Sequence, residues 1–309
     1  MKKKTGEECK RAVNLGVLFA VQLGDEFNHL VTKFSSTLMD WVCDWTLNAD
    51  FRSECVNALS LYTFLTTDDL ELIGSALNSY REIWTRIKPN GAIEYSQLSC
   101  SCLNAWALML LCLPDRYIEN AIQNDLPILC DYIENGHPDI RITSGETLCL
   151  LYEMANQLTA YEEFAFKPVN HDKTLAVLEQ WSHESAKFHA KRDRRVQRAT
   201  FRDVHAAIKN NDVPEIKIKF GTENLTLDSW AMKLCYSMLC TFLRGGINTH
   251  LQQNYVIRDK LSLGAPISEA VSHKATKLER QIFNQSVNKA RNLARGKQRD
   301  KKPAFCGDD

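Results

Sequence analysis

Residues 105–113 read AWALMLLCL, nine uninterrupted apolar residues closed by Pro114-Asp115. A small residue, then aliphatics at helical spacing, then a proline that cannot continue the helix: this reads as a buried helix. The run is about half the length of a membrane span, so it reads as a core element. Three other stretches share its form: AVNLGVLFAVQL from Ala12, ALSLYTFL from Ala58 and GETLCLLYEM from Gly145. Their small leading residues fall at 12, 58, 105 and 145, giving intervals of 46, 47 and 40. A small side chain lets stacked helices approach, while aliphatics three and four positions on fill the shared core.

Repeats of that length, two or three helices each, characterise armadillo and HEAT-type stacks. The expected fold is mainly α: an armadillo/HEAT-like α-solenoid over residues 9–160, with partner helices near 27–47, 68–88 and 117–135. Local signals mark the boundaries. Thr67-Asp68-Asp69 reads as an N-cap region, and Pro89-Asn90-Gly91 stops the following helix. Pro127 suits the first turn of a helix capped by Asn124 or Asp125. His137-Pro138-Asp139-Ile140-Arg141 leads into the Gly145 helix.

Beyond residue 160 the pattern changes. Residues 161–172 read as loop, and a long helical stretch is expected over roughly 172–210. Residues 215–230, EIKIKFGTENLTLDSW, break the all-α reading. Ile216, Ile218 and Phe220 alternate with lysines, Leu225 and Leu227 alternate with Thr226 and Asp228, and Gly221-Thr222-Glu223-Asn224 lies between. Period and turn chemistry together predict a small β-hairpin within a helical region, 171–262. A helix from about Ser229 to Arg244 should end at Gly245-Gly246. A basic terminal helix is expected over 268–302, and a disordered tail over 303–309.

Charge is distributed unevenly. The chain has 38 Lys and Arg against 38 Asp and Glu, a formal net of zero. Yet residues 187–202 hold seven cations and one acid, and residues 274–302 hold ten cations and two acids. Those segments carry +6 and +8, which leaves −14 on the remainder. Basic segments on an acidic body can bind phosphate while the body stays soluble. The candidate nucleic-acid contacts are Lys274, Lys277, Arg280, Lys289, Arg291, Arg295, Lys297, Arg299, Lys301 and Lys302. On the inner cluster they are Lys191, Arg194, Arg195, Arg198 and Arg202, several of which share a helical face. An alternative for that cluster is neutralisation by acidic solenoid surface. For the tail the alternatives are a solvated helix and a nuclear import signal. Its apolar seam of Leu278, Ile282, Phe283, Val287, Ala290, Leu293 and Ala294 is narrow, which limits docking to the body.

Other chemistry is thinly represented. Eleven cysteines contain no CxxC pair and fall mostly in apolar helical runs, where thiols act as small hydrophobes. An odd count fits reduced thiols in a cytoplasmic or nuclear protein. His183, His189 and His205 lack ligand spacing, so no metal is expected. There is no GxxxxGK, GxGxxG or GxSxG, so neither enzyme activity, cofactor nor small-molecule substrate is expected. The six tryptophans fall mostly on apolar stripes and are read as core. The N-terminus MKKKTGEECKR lacks the apolar run of a secretory signal.

Several blocks together resemble the interferon-related developmental regulator family. They are YSQLSCSCLNAWALMLLCLP (95–114), VQRATFRDV (196–204), IKIKFGTENLTLDSW (216–230), GINTHLQQNYVIRDKL (246–261) and KATKLERQIFNQSVNKARNLARGKQRDKK (274–302). Their order and spacing match, and the resemblance extends over essentially the whole chain. It implies armadillo-like repeats followed by a family-specific C-terminal region, with no catalytic activity. It also implies control of gene expression, by ribosome binding that restrains translation or by transcriptional co-regulation. MKKKTGEE stands where family members carry further solenoid and low-complexity sequence, so the expectation is a form without those N-terminal repeats. Expected partners are ribosomes or RNA through the basic segments and proteins through the solenoid surface, with no membrane.

Overall fold

The computed structural model describes residues 3–159, 166–168, 170–183, 191–266, 281–282, 285–287 and 289, without the side chains of 3–5, 30–33 and 191–194. The chain forms two compact units: Met1–Ile216 with Leu227–Phe242, and Lys217–Thr226 with Leu243–Asp309.

The first unit is a helical solenoid. Helices α1 (Lys3–Leu23), α3 (Ala49–Thr66), α5 (Ser96–Leu110), α8 (Pro138–Leu158) and α10 (Lys191–Asn210) pack each on the next in one row. A second row covers them. In it α2 (Asn28–Cys43) packs on α3, α4 (Leu70–Arg86) on α5, α6 (Asp115–Asn124) and α7 (Leu126–Asn135) on α8, and α9 (His171–His183) on α10. Helices α3 and α5 have neighbours on both sides of the row, which is why they are apolar nearly all round. Ala58 and Ala105 are fully buried, as their spacing implies, with Leu59, Leu61, Trp106, Leu108 and Leu110 beside them.

Polar groups at the helix ends lock successive repeats. Asp69 caps α4, accepting from the backbone N–H of Glu71 at 2.9 Å and Leu72 at 3.3 Å. The Tyr132 hydroxyl of α7 is placed 2.8 Å from both the Trp84 and Ile87 carbonyls, at the end of α4 where helical carbonyls lose their own partners. The Trp84 ring is met edge-on by Trp106 and by Tyr132, each at 5.6 Å between centroids. His137 holds the Pro89–Gly91 turn, its N–H on the Pro89 carbonyl at 3.0 Å and its Nε2 2.8 Å from the Gly91 carbonyl.

Four expectations are corrected. Ala12 is exposed; the small residue that lets α1 approach α3 is Gly16, where an added Cβ would collide with the Tyr62 hydroxyl. That hydroxyl donates to the Val13 carbonyl. The third partner region is two helices, because Pro127 cannot extend α6 into α7. Asp125 stands at the N-cap of α7, but its side chain makes no capping bond: the carboxylate is taken by Arg81, and Asn124 donates to the Asn120 carbonyl at 3.1 Å. Residues 172–183 and 191–210 belong to two helices packed on each other, α9 and α10, so the repeat runs one step farther than the spacing of small residues revealed.

The hairpin forms as expected, with β1 (Ile216–Phe220) paired to β2 (Glu223–Leu227). Only Gly221 and Thr222 form its loop; Gly221 has φ +50°, a conformation that favours glycine. Then follow α11 (Trp230–Leu243), one 3-10 turn (Arg244–Gly246), α12 (Ile247–Gln253) and α13 (Tyr255–Lys260). Trp84 and Trp106 are fully buried and Trp230 nearly so, whereas Trp41, Trp45 and Trp181 are half-buried. Among the described residues, no helix is long and apolar enough to cross a membrane.

Candidate nucleic-acid interface

Helix α10 carries the inner basic cluster because its two faces have opposite duties. Gln197, Phe201, Val204 and Ile208, at four- and three-residue steps, are buried against the solenoid. Phe201 and Val204 come close to α8 at Gly145, where an added Cβ would stand 3.4 and 3.5 Å from their side chains. Cys149 Sγ lies 3.7 Å from the Val204 carbonyl, a contact across the same seam. The other face presents Arg195 and Arg202 exposed, seven residues apart, with Arg198 half-buried between them. Arg198 has an interaction of its own within the fold. Lys209, exposed seven residues after Arg202, extends the stripe and was missed because it lies outside the dense basic run. Lys191 and Arg194 belong to α10, but their side chains lie outside the described residues.

Of the tail cations, Lys289 is described: it is helical and exposed. Nearby, Ile282 is 57% exposed and Val287 half-buried, both in helical backbone. Lys274, Lys277, Arg280, Arg291, Arg295, Lys297, Arg299, Lys301 and Lys302 lie outside the described residues, as does the 303–309 segment. The tail and α10 belong to different compact units.

A second electrostatic feature of the solenoid escaped the sequence reading. Lys233 of α11 is surrounded by Glu146 and Glu153 of α8 and Asp203 of α10. Its Nζ lies 4.3 Å from the centre of the Trp230 ring. Desolvation pushes the Lys233 ammonium down, and Asp203 opposes that most among its charged neighbours. Glu153 is raised by desolvation, though its carboxylate accepts from the Trp230 N–H at 2.7 Å. Glu146 is exposed by area yet crowded by the elements around it; desolvation pushes its carboxyl up to about 7, and Lys233 pulls it down. The four residues are spread over eighty-odd positions of sequence, so no local motif marks them.

Arg258 was also missed. It is 1% exposed, and its guanidinium donates to the carbonyls of Leu251, Leu263, Gly264 and Ala265 and to the Glu223 carboxylate. It fixes α13, the following turn and strand β2 as one piece, directly before the basic segment. Among the described residues no three His, Cys, Asp or Glu side chains are grouped to hold an ion, and ten cysteines are free thiols.

Comparison with known proteins gives the family. Residues 1–209 match the family described as interferon-related developmental regulator, and residues 254–303 match the interferon-related protein conserved region. The second match begins at the α13 cap and covers both Arg258 and the whole basic segment 274–302. Interferon-related developmental regulator 1 of Sus scrofa is 29% identical over 315 residues, covering 98% of this chain and 69% of that protein. The human protein of the same name gives the same figures. Interferon-related developmental regulator 2 of Mus musculus is 30% identical over 98% of this chain and 70% of its own length. With both family regions present in order and relatives aligned along nearly its full length, the chain belongs to the interferon-related developmental regulator family.

Proposed function

We propose that this protein is a non-enzymatic regulator of gene expression that binds ribosomes or RNA through its basic C-terminal segment and thereby restrains translation. The observation that carries this reading is the concentration of ten cations against two acids in residues 274–302, on an otherwise acidic chain. The exposed, helical Lys289 and the exposed Arg195 and Arg202 on α10 support it. Binding of this kind is mostly phosphate neutralisation, and its strength falls with salt as counterions are released.

The test is sedimentation of the full chain through a sucrose gradient, with and without RNase. Replacing Lys289, Arg291, Arg295, Lys297 and Arg299 by Ser should release the protein from ribosomal fractions. If six to eight cations meet phosphate, the parent's log–log salt slope should be roughly −4 to −7, and the variant's shallower. A variant that co-sediments normally but no longer enters nuclei would replace this reading with a nuclear transcriptional co-regulator. One that changes in neither respect would remove the tail from the function.

A further inference from the structure

Where α4, α5 and α6 meet, the solenoid contains a cavity of about 240 Å³. Its floor is Leu77 of α4, Trp106 and Leu110 of α5 and Ala121 of α6, all buried. Its rim is polar, with Arg81 of α4 and Arg116 and Asn120 of α6. Sites that enclose a whole small molecule or cofactor measure roughly 300–1,000 Å³, so this one is too small for that role. It suits a single bulky side chain.

The charge around it is one-sided where it can be reached. Asp125 also lines the cavity, but its side chain is 2% exposed and Arg81 Nε holds it at 2.6 Å. Arg81 itself keeps 36% of its side chain exposed, and Arg116 is exposed outright. The carboxylate is therefore spent on Arg81, which stays partly accessible, while Arg116 is an exposed cation at the rim. Arg116 also lies 5.1 Å from the centre of the Tyr117 ring, which braces it beside the opening. A planar guanidinium beside an apolar hollow is well suited to a carboxylate neighbour of an apolar anchor. The chain's own basic segments have the wrong sign.

We propose that this cavity docks an acidic peptide segment of a partner protein. One bulky apolar side chain of the peptide fills the space between Leu77, Trp106, Leu110 and Ala121, and an adjacent Asp or Glu meets Arg116 and Arg81. The site is separate from the cations assigned to RNA, so it stands whether or not the ribosomal reading holds.

The test is selection of random 12-residue peptides on the immobilised full chain, followed by fluorescence polarisation with the enriched sequences as labelled peptides. The expected family pairs a Leu, Phe, Trp or Met with an acid one or two positions away. Arg116→Glu reverses the exposed rim charge, and Asn120→Trp closes the mouth from an exposed position. Each should weaken binding at least about tenfold while leaving the melting temperature in place. Lys88→Glu, an equal charge change elsewhere on the solenoid, should leave binding unaltered. The proposal is overturned if no such family is enriched. It is also overturned if the peptides bind Asn120→Trp as they bind the parent, or if all three variants weaken binding alike. Displacement of the site's preference to basic peptides or to an RNA oligomer would overturn it too.

Discussion

Arg258 and Glu223 form a two-pronged ion pair that is almost entirely removed from water: Nη1 meets Oε1 at 2.8 Å and Nη2 meets Oε2 at 2.9 Å, with side-chain exposures of 1% and 7%. The same guanidinium also donates to four backbone carbonyls. Removing one member of a buried pair leaves the other charge uncompensated and costs about 3–5 kcal/mol. Arg258→Met should therefore destabilise the second unit severely, and more than Glu223→Gln, which keeps an acceptor for the guanidinium. Hydrogen exchange is the measurement. Amides of residues 217–226 and 247–265 should lose protection while α3 and α5 keep theirs.

Ala105 is fully buried in α5, between α3 and α8. Ala105→Leu inserts three carbons where helices touch, and overpacking of this kind costs roughly 1–3 kcal/mol. A lower melting temperature is expected; an unchanged one would mean that α5 is not a row helix.

Glu146 makes the solenoid's stability depend on pH. Its carboxyl is raised to about 7 in the folded chain, from an ordinary value of 4.5. Between those values the folded state holds more protons than the unfolded state, so stability falls as pH rises and the loss is complete above about 7. Solvent at its exposed edge screens the effect to about 1 kcal/mol or less. Glu146→Gln should match the parent near pH 4 and melt higher at pH 8. Equal melting at both values would show that solvent fully relieves the crowding.

Arg195 and Arg202 are expected to add phosphate contacts to those of the tail. Replacing both by Ser should reduce the log–log salt slope for RNA by about 2, roughly one per lost contact. Arg198 is left intact in this test because it is engaged within the fold. No change in slope would assign the α10 stripe to solvent alone.

The solenoid was legible because small residues recur at a regular interval, and that signal is local. What it could not tell was which small residue faces the next helix. Ala12 heads the first run, but Gly16, one turn later, receives Tyr62. Helix α10 hid its membership of the row because cations dominate its composition, and the buried stripe of Phe201, Val204 and Ile208 is thin. The hairpin was legible from its period of two. Glu223 nevertheless looked like a turn residue; its burial depends on an arginine 35 positions away, and no window of sequence contains both. The candidate RNA contacts were read from charge density alone, which is why Lys209 was passed over.

Gly16 and Tyr62 amount to one decision written at two positions. A methyl group at 16 would collide with the phenol that occupies the notch, and the hydroxyl of that phenol is held by the Val13 carbonyl. In a lineage of such chains the two sites should drift in step: a side chain at 16 tolerated where 62 has shrunk, glycine retained wherever tyrosine stays. The first helix thus keeps its place in the row through a residue that contributes no side chain, and a chain engineered to gain helix propensity at 16 would lose the seat that the helix occupies.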